Sequence, residues 1–143
     1  MQESYLVCSN CFEYIPFFDY HVGDDIPKCT SCQHELLPVQ PLEGDEMLLA
    51  RLHQQPQPLL LDFWGAWSGP CREFSPLFND YADRFKGKVI FVKINSEEEQ
   101  VLANQLRVCA FPTLILFQNG REKQRLTGFI NESHLDTLLK AYD

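Results

Sequence analysis

Residues 59–72 carry the feature that constrains the fold most, because an apolar segment, a short turn and the start of a helix follow one another directly. The segment reads Leu-Leu-Leu-Asp-Phe-Trp and is apolar except at Asp62, which is typical of a strand buried on both faces. Gly69 and Pro70 follow the turn, and proline is tolerated in the first turn of a helix. Such a turn directs free backbone N–H groups and the positive end of the helix dipole at one surface patch. A thiol placed there would be a thiolate near neutral pH.

The surrounding sequence predicts an α/β fold. Periodicity and turn signals predict helices at 46–54, 68–85, 97–107 and 132–142, with Pro76 kinking the second helix and Asn131 capping the last. Strands are predicted at 59–64, 88–94, 113–117 and 122–127, and Asn119-Gly120 is a strong two-residue hairpin turn between the last two. This order indicates a mixed sheet, parallel at its centre with an antiparallel edge and with helices on both faces.

Two Cys-x-x-Cys pairs lie near the start of the chain, at Cys8 and Cys11 and at Cys29 and Cys32. Two such pairs at this separation are typical of a structural zinc site with four thiolate ligands. The alternative is two structural disulfides. A segment of about 40 residues cannot bury enough surface to fold alone, so one zinc ion would supply most of its stability. A closed four-cysteine site has no open position for water, which disfavours catalytic zinc.

Other residues of this segment leave alternatives open. His21 and His34 are interpreted as surface histidines. The apolar and aromatic side chains between the cysteine pairs either pack on the following domain or a partner, or form a local cluster; they are Phe12, Tyr14, Ile15, Phe17, Phe18 and Tyr20. Residues 37–45, which contain two prolines and a glycine, are predicted to be a linker, with a helix beginning at Asp45.

Charge and hydropathy exclude several classes of function. The formal net charge of −8 opposes binding to nucleic acid. No apolar run approaches the roughly 18 residues that span a bilayer, so no membrane association is expected. The first eight residues have neither a basic start nor a long apolar stretch, so a signal peptide is not expected. We expect a cytoplasmic monomer, in a compartment where paired cysteines hold metal or perform redox chemistry more often than they form structural disulfides.

A set of separated motifs is spread over residues 43–143. Trp67-Ser68-Gly69-Pro70-Cys71 is accompanied by Asp62-Phe63-Trp64, Pro76, Lys93, Phe111-Pro112-Thr113, Asn119-Gly120 and Gly128. This set resembles the thioredoxin family, whose Trp-Cys-Gly-Pro-Cys motif is similar to residues 67–71, with Ser68 at the first cysteine position. With its four-cysteine segment, the chain is similar to a bacterial subclass of thioredoxins that carries an N-terminal zinc module. The resemblance therefore implies a zinc-ribbon module in residues 1–40 and a thioredoxin fold in residues 41–143.

The resemblance also implies a function, which is thiol–disulfide exchange. Disulfide-containing proteins would be the substrates and a thioredoxin reductase the electron donor, with a role in electron transport and cell redox homeostasis. Asp62 and Lys93 would manage the proton of the second thiol, Cys71. Pro112 would follow a cis peptide bond and face the helix of the redox motif. The apolar surface that docks extended substrates would consist of Trp67, Gly69, Pro70, Phe111, Pro112 and Gly128.

Ser68 departs from the family pattern at the position of the attacking cysteine. Disulfide reduction needs one thiolate to attack and a second thiol to release the product. A serine hydroxyl is hardly ionised at neutral pH, and no adjacent histidine base is evident in the sequence. We therefore expect this form to be a very weak protein-disulfide reductase. Two origins fit the serine: a deliberate substitution made to block turnover, and a natural loss of the cysteine.

Two other functions stay open at this point. The chain could be a redox-silent module that binds polypeptides, or a single-thiol reagent that acts through Cys71 or Cys109. Cys71 is expected to be poorly exposed, whereas Cys109 is either an exposed thiol near the redox motif or an inert packed cysteine. Asp62 is either an acid of raised pKa beside the thiol or a carboxylate at an exposed strand end.

Overall fold

The strands of the molecule form two separate sheets. The computed structural model describes residues 4–8, 10–17, 28–33, 35–36, 40–55 and 57–143. Within these residues, a two-stranded antiparallel sheet lies near the start of the chain and a five-stranded sheet follows it. The strands are β1 (Ser4–Val7), β2 (Tyr14–Phe17), β3 (Leu42–Glu43), β4 (Leu59–Trp64), β5 (Ile90–Asn95), β6 (Thr113–Gln118) and β7 (Arg121–Thr127).

The five-stranded sheet has the order β3-β5-β4-β6-β7. β5 pairs in parallel with both β3 and β4, whereas β6 pairs antiparallel with β4 and β7. The predicted mixed sheet, parallel at its centre with an antiparallel edge, is therefore confirmed. β4 is the central strand, and its residues from Leu59 to Phe63 are at most 2% exposed, as its unbroken apolar run predicts.

Helices cover both faces of this sheet. They are α1 (Glu46–Leu52), α2 (Gly69–Arg84), α3 (Gln100–Gln105) and α4 (Glu132–Leu139), and a 3₁₀ turn (Lys140–Tyr142) ends the chain. The buried leucines of α1 and α3 share one core cluster, and the buried side chains of α2 and α4 share the other. In the part of the chain that the structure describes, no helix is both long and apolar enough to cross a membrane.

Local signals set most element boundaries. The side chain of Asn131 accepts a hydrogen bond from the N–H of His134, so the predicted cap is confirmed. The side chain of Asp45 accepts one from the N–H of Leu48 and caps the helix that was predicted to begin there. Asn119 and Gly120 both have positive φ, as the predicted hairpin turn requires. α2 continues through Pro76.

Several predicted boundaries were wrong. Residues 42 and 43 lie in the predicted linker, but they form the edge strand β3 on β5. A two-residue strand has no periodicity of its own, so tertiary pairing alone defines it. The third helix spans six residues instead of the predicted eleven, because the glutamates at 97–99 lie before its first turn. The strand predicted at 88–94 is Ile90–Asn95.

The N-terminal segment contacts the large sheet's domain through two aromatic residues. Phe12 packs against the core cluster that contains α1. The hydroxyl of Tyr14 donates to Gln54 Oε1 at 2.5 Å, and the Arg51 guanidinium lies 5.9 Å from the Tyr14 ring centroid. Ile15 instead packs locally with Cys8 and Cys29. Of the two alternatives left open, Phe12 and Tyr14 follow the first, because they contact residues of the later part of the chain, and Ile15 follows the second, because it packs locally. Phe18, Tyr20, His21 and His34 lie outside the described residues.

Candidate functional site

The turn between β4 and α2 places Ser68 at the tip of a helix. The N–H of Ser68 donates to the Gly65 carbonyl at 3.1 Å, which closes the turn. The Ser68 carbonyl then accepts from the N–H of Arg72, while its hydroxyl oxygen accepts from the N–H of Cys71 at 3.3 Å. Ser68 is therefore the N-cap of α2. An atom at the Ser68 Oγ position sits beside free amides and the positive end of the helix dipole, where an anion is stabilised.

Cys71 lies in the first turn of α2 and points inward. Its side chain is only 6% exposed, as predicted. Ser68 is partly exposed, but its hydroxyl is hardly ionised at neutral pH. In this form the site has a sulfur atom at the second position of the motif and an oxygen atom at the first.

A small cavity joins Cys71 to a buried carboxylate. Its volume is about 100 Å³, and its walls are Asp62, Trp64, Gly65, Ala66, Cys71, Arg72, Ser75 and Lys93. Asp62 is 2% exposed, so the interpretation of an exposed strand end was wrong. Asp62 Oδ1 has no hydrogen-bond partner among the described residues. An unpaired carboxylate oxygen beside a buried thiol can accept that thiol's proton.

Burial controls the protonation of Asp62. Burial raises the pKa of this carboxyl to about 7, although the positive charge of Lys93 acts in the opposite direction. Lys93 lies opposite Asp62 in the β4–β5 register, but its amino group donates to Ser75 Oγ at 3.0 Å and lies 5.5 Å from the Trp64 ring centroid. Asp62 can therefore exchange a proton near neutral pH.

Sequence reasoning missed Ser75, which holds the Lys93 amino group. Its position was a usable signal, since Ser75 lies one helical turn after Cys71 and therefore on the same face of α2.

Trp67 forms the exposed apolar part of the site. Its side chain is 58% exposed, and its ring centroid lies 4.9 Å from that of Phe111. A Cβ built at Gly65 would lie 1.2 Å from a ring carbon of Trp67. The ring can take this position only because residue 65 has no side chain.

The loop before β6 supplies the other side of the candidate docking surface. The Phe111–Pro112 peptide bond is cis, as the resemblance implies. The Pro112 carbonyl accepts from the N–H of Gly128, whose φ of 85° suits glycine. A Cβ at Gly69 would have no neighbour within 4 Å, so the backbone there is open to a ligand. Four of the six predicted docking residues are therefore joined in pairs. A ring contact joins Trp67 to Phe111, and a backbone hydrogen bond joins Pro112 to Gly128.

Cys109 precedes this loop and is exposed, so the interpretation of a packed cysteine was wrong. It is close enough to Arg125 to contribute to the raised pKa of that guanidinium, after the larger effect of the hydrogen bond from Arg125 to Glu122.

The two cysteine pairs form a second candidate site, a metal centre. The four sulfur atoms lie within 4.8 Å of one another. The Sγ atoms of Cys8 and Cys32 are 3.6 Å apart, as are those of Cys11 and Cys29. Tetrahedral zinc with Zn–S bonds of ~2.3 Å places its ligands roughly 3.8 Å apart. All six cysteines of the chain are free thiols, so this structure does not contain the alternative disulfides.

The backbone of the two pairs explains this geometry. The N–H of Phe12 donates to the Cys8 carbonyl and that of Gln33 to the Cys29 carbonyl, each at 2.8 Å. Phe12 and Gln33 both have positive φ, at 64° and 68°. The two pairs therefore form equivalent tight turns that face each other. Burial raises the pKa of the Cys8 thiol, so a divalent cation would be needed to hold this sulfur as a thiolate.

The comparisons with known proteins mainly concern the part of the chain that follows the cysteine pairs. A family model described as Thioredoxin matches residues 42–141. The thioredoxin of Alicyclobacillus acidocaldarius is 37% identical over 86 residues, which are 60% of this chain and 82% of that protein. Thioredoxin 1 of Nostoc sp. is 33% identical over 59% of this chain and 79% of its own length. The chain spans 64% of the rice chloroplast thioredoxin M5, at 27% identity over 80% of this chain.

Solved structures show the same likeness. A mutant thioredoxin from Halobacterium salinarum superposes with a TM-score of 0.68 at 29% identity, covering 74% of this chain and 93% of that one. The thioredoxin of Malassezia sympodialis superposes with a TM-score of 0.66 at 25% identity, covering 76% of this chain and 96% of its own.

Proposed function

The chain belongs to the thioredoxin family, and from that premise we propose that its site is built for thiol–disulfide exchange on protein substrates. Ser68 stands where the attacking cysteine belongs, so this form is a very weak protein-disulfide reductase. The observation that carries the proposal is the position of Ser68 Oγ, which caps α2 through the N–H of Cys71. A sulfur atom there would be a thiolate stabilised by the same amide and the helix dipole.

The reaction needs both positions of the motif. A thiolate at position 68 would attack a substrate disulfide, break its S–S bond and form a mixed disulfide, while the first substrate sulfur leaves as a thiolate and is protonated. The Cys71 thiol would transfer its proton to Asp62 across the shared cavity. The Cys71 thiolate would then attack the mixed disulfide, release the second substrate thiolate and close a disulfide with position 68. Two electrons pass to the substrate, and a thioredoxin reductase would restore the dithiol.

The docking surface consists of Trp67, Gly69, Pro70, Phe111, Pro112 and Gly128. We propose that it binds extended polypeptide, because the exposed indole of Trp67 and the open backbone at Gly69 lie beside the helix tip. Trp67 would supply apolar contact, and backbone groups would hydrogen-bond the substrate as an added strand. The net charge of −8 disfavours nucleic acid as an alternative partner.

The four cysteines near the start of the chain would bind one structural zinc ion. The sulfur separations of 3.6 Å support this assignment. Residues 1–40 would then be a zinc-ribbon module and residues 41–143 the thioredoxin domain, with the two separate sheets in support. Zinc ligation needs four thiolates, which suits a reducing compartment such as the cytoplasm. We propose that the protein acts as a monomer.

A trapping experiment tests the proposal. A variant that carries Ser68→Cys and Cys71→Ser has the attacking thiol but no resolving thiol, so it should accumulate a mixed disulfide with insulin. The adduct is detected by mass spectrometry and should disappear on treatment with dithiothreitol. Cys109→Ser is included in the same background, so that the exposed thiol cannot form the adduct. The absence of an adduct at position 68 would contradict the proposal.

A second candidate function is non-covalent polypeptide binding. It is favoured by the burial of Cys71, which leaves no exposed thiol at the helix tip. In that case the chain with Ser68 should bind an unfolded, alkylated polypeptide with an affinity that dithiothreitol does not change. Trp67→Ala and Phe111→Ala should weaken this binding, and an unchanged affinity in both variants would exclude this function.

A further inference from the structure

An apolar groove lies beside the docking surface, between α2 and the start of α4. Its volume is about 400 Å³, and its lining is Pro70, Glu73, Phe74, Leu77, Phe129, Ile130, Asn131 and His134. It shares Pro70 with the docking surface, and Phe129 directly follows Gly128 of that surface. The groove therefore extends the proposed polypeptide path past the helix tip.

Phe129 is the unusual residue of this groove. Its side chain is 77% exposed, whereas Phe74 in the same groove is 3% exposed. Leu77 and Ile130 are partly buried against the core below. Buried apolar residues at the base of a groove, with an exposed aromatic ring at its edge, form a pocket that can hold an apolar side chain of a ligand.

The polar groups at the α4 end of the groove are already satisfied. Asn131 Oδ1 accepts from the N–H of His134, and His134 Nδ1 accepts from the N–H of Asn131. Glu73 is different, because it is exposed and forms no ion pair within the part of the chain that the structure describes. The groove thus combines an apolar pocket with the negative charge of Glu73, which has no ion-pair partner among the described residues.

We infer that this groove is a substrate subsite that takes a large apolar side chain of the bound polypeptide, with a lysine or arginine of the same polypeptide beside Glu73. The inference rests on the proposed function and names the class of polypeptide that the site prefers. The net charge of −8 supports it, since this charge attracts a basic segment and opposes a second copy of the chain.

A binding measurement tests the subsite without any redox step. Two fluorescein-labelled peptides are compared, and each carries one alkylated cysteine. The cysteine is flanked by Leu, Phe and Lys in the first peptide and by Ser, Gly and Glu in the second. Fluorescence anisotropy should show that the chain with Ser68 binds the first peptide at least tenfold more tightly. Phe129→Ala should remove about tenfold of that affinity, as expected for the loss of one buried aromatic contact. Glu73→Lys should weaken binding of the first peptide severalfold and strengthen that of the second.

Val101→Ala is the matched control, because Val101 is a 64% exposed apolar residue on α3, outside the groove. It should bind both peptides as the parent chain does.

Equal binding of the two peptides, or unchanged affinity in Phe129→Ala, would overturn the subsite. A concentration-dependent dimer that Phe129→Ala dissociates would overturn it in favour of a second copy. Failure of the proposed function is read separately, because in that case Ser68→Cys would not turn over a disulfide peptide, whatever the two peptide affinities are.

Discussion

The hydroxyl oxygen of Ser68 accepts a hydrogen bond from the backbone N–H of Cys71 at 3.3 Å. The serine that stands at the position of the attacking cysteine therefore also caps α2. Ser68→Ala leaves this N–H without its partner and should lower the free energy of unfolding by about 1 kcal/mol. Ser68→Asp retains an acceptor and places a negative charge at the helix N-terminus, so its stability should stay close to that of the parent. Urea unfolding measures both variants, and equal stability of Ser68→Ala and the parent would show that the cap has no effect.

Gly65 determines where the indole of Trp67 lies. A Cβ at residue 65 would overlap the Trp67 ring, with a closest approach of 1.2 Å. Gly65→Ala should therefore displace the ring from Phe111, increase quenching of tryptophan fluorescence by acrylamide and weaken polypeptide binding severalfold. Gly69→Ala is the matched control for the quenching measurement alone, because a Cβ at Gly69 has no neighbour within 4 Å. Identical quenching in Gly65→Ala and Gly69→Ala would contradict this account of the ring position.

Asp62 should make stability depend on pH. Its pKa is raised to about 7 by burial, against the opposing charge of Lys93, whereas an aspartate in an unfolded chain ionises near pH ~4. Between these values the folded state holds the proton more tightly, so stability falls as pH rises through this window. Asp62→Asn removes this loss of stability. Its free energy of unfolding should equal that of the parent at about pH 4 and exceed it by at most about 4 kcal/mol above pH ~7.

Denaturant unfolding across this pH range checks the prediction for Asp62. The exposed Asp80 gives a control, since Asp80→Asn should change stability little at any pH. A gain in Asp62→Asn that is the same at pH 4 and pH 8 would mean that the titration of Asp62 is not its cause.

The four-cysteine site should hold one zinc ion per chain. Cys8→Ser removes one of four ligands whose sulfur atoms lie within 4.8 Å, and should reduce the zinc content to near zero. Cys109→Ser removes an exposed thiol outside the site and should leave the content at one. Elemental analysis of the purified proteins gives both values. A parent chain that contains no zinc and has disulfides within its first 40 residues would overturn the assignment.

Local signals predicted most of the fold. The apolar run at 59–64 predicted the central strand because burial on both faces leaves few polar positions, and Asn119-Gly120 predicted the hairpin because both residues take positive φ. The edge strand Leu42–Glu43 was missed because only its pairing with β5 defines it. At the site, the burial of Cys71 and the cis bond before Pro112 agree with expectation. Phe129 was missed because nothing in the sequence distinguishes an exposed phenylalanine from a core one.

The most direct measurement of the central claim is the rate at which Ser68→Cys reduces insulin with dithiothreitol as the dithiol donor. The account predicts a rate at least about 100-fold above that of the parent chain, since a thiolate at the tip of α2 can attack and Cys71 can release the product. The parent should not exceed the uncatalysed rate. A Ser68→Cys protein that is folded, as judged by its urea unfolding, and still reduces insulin only at the uncatalysed rate would contradict the account.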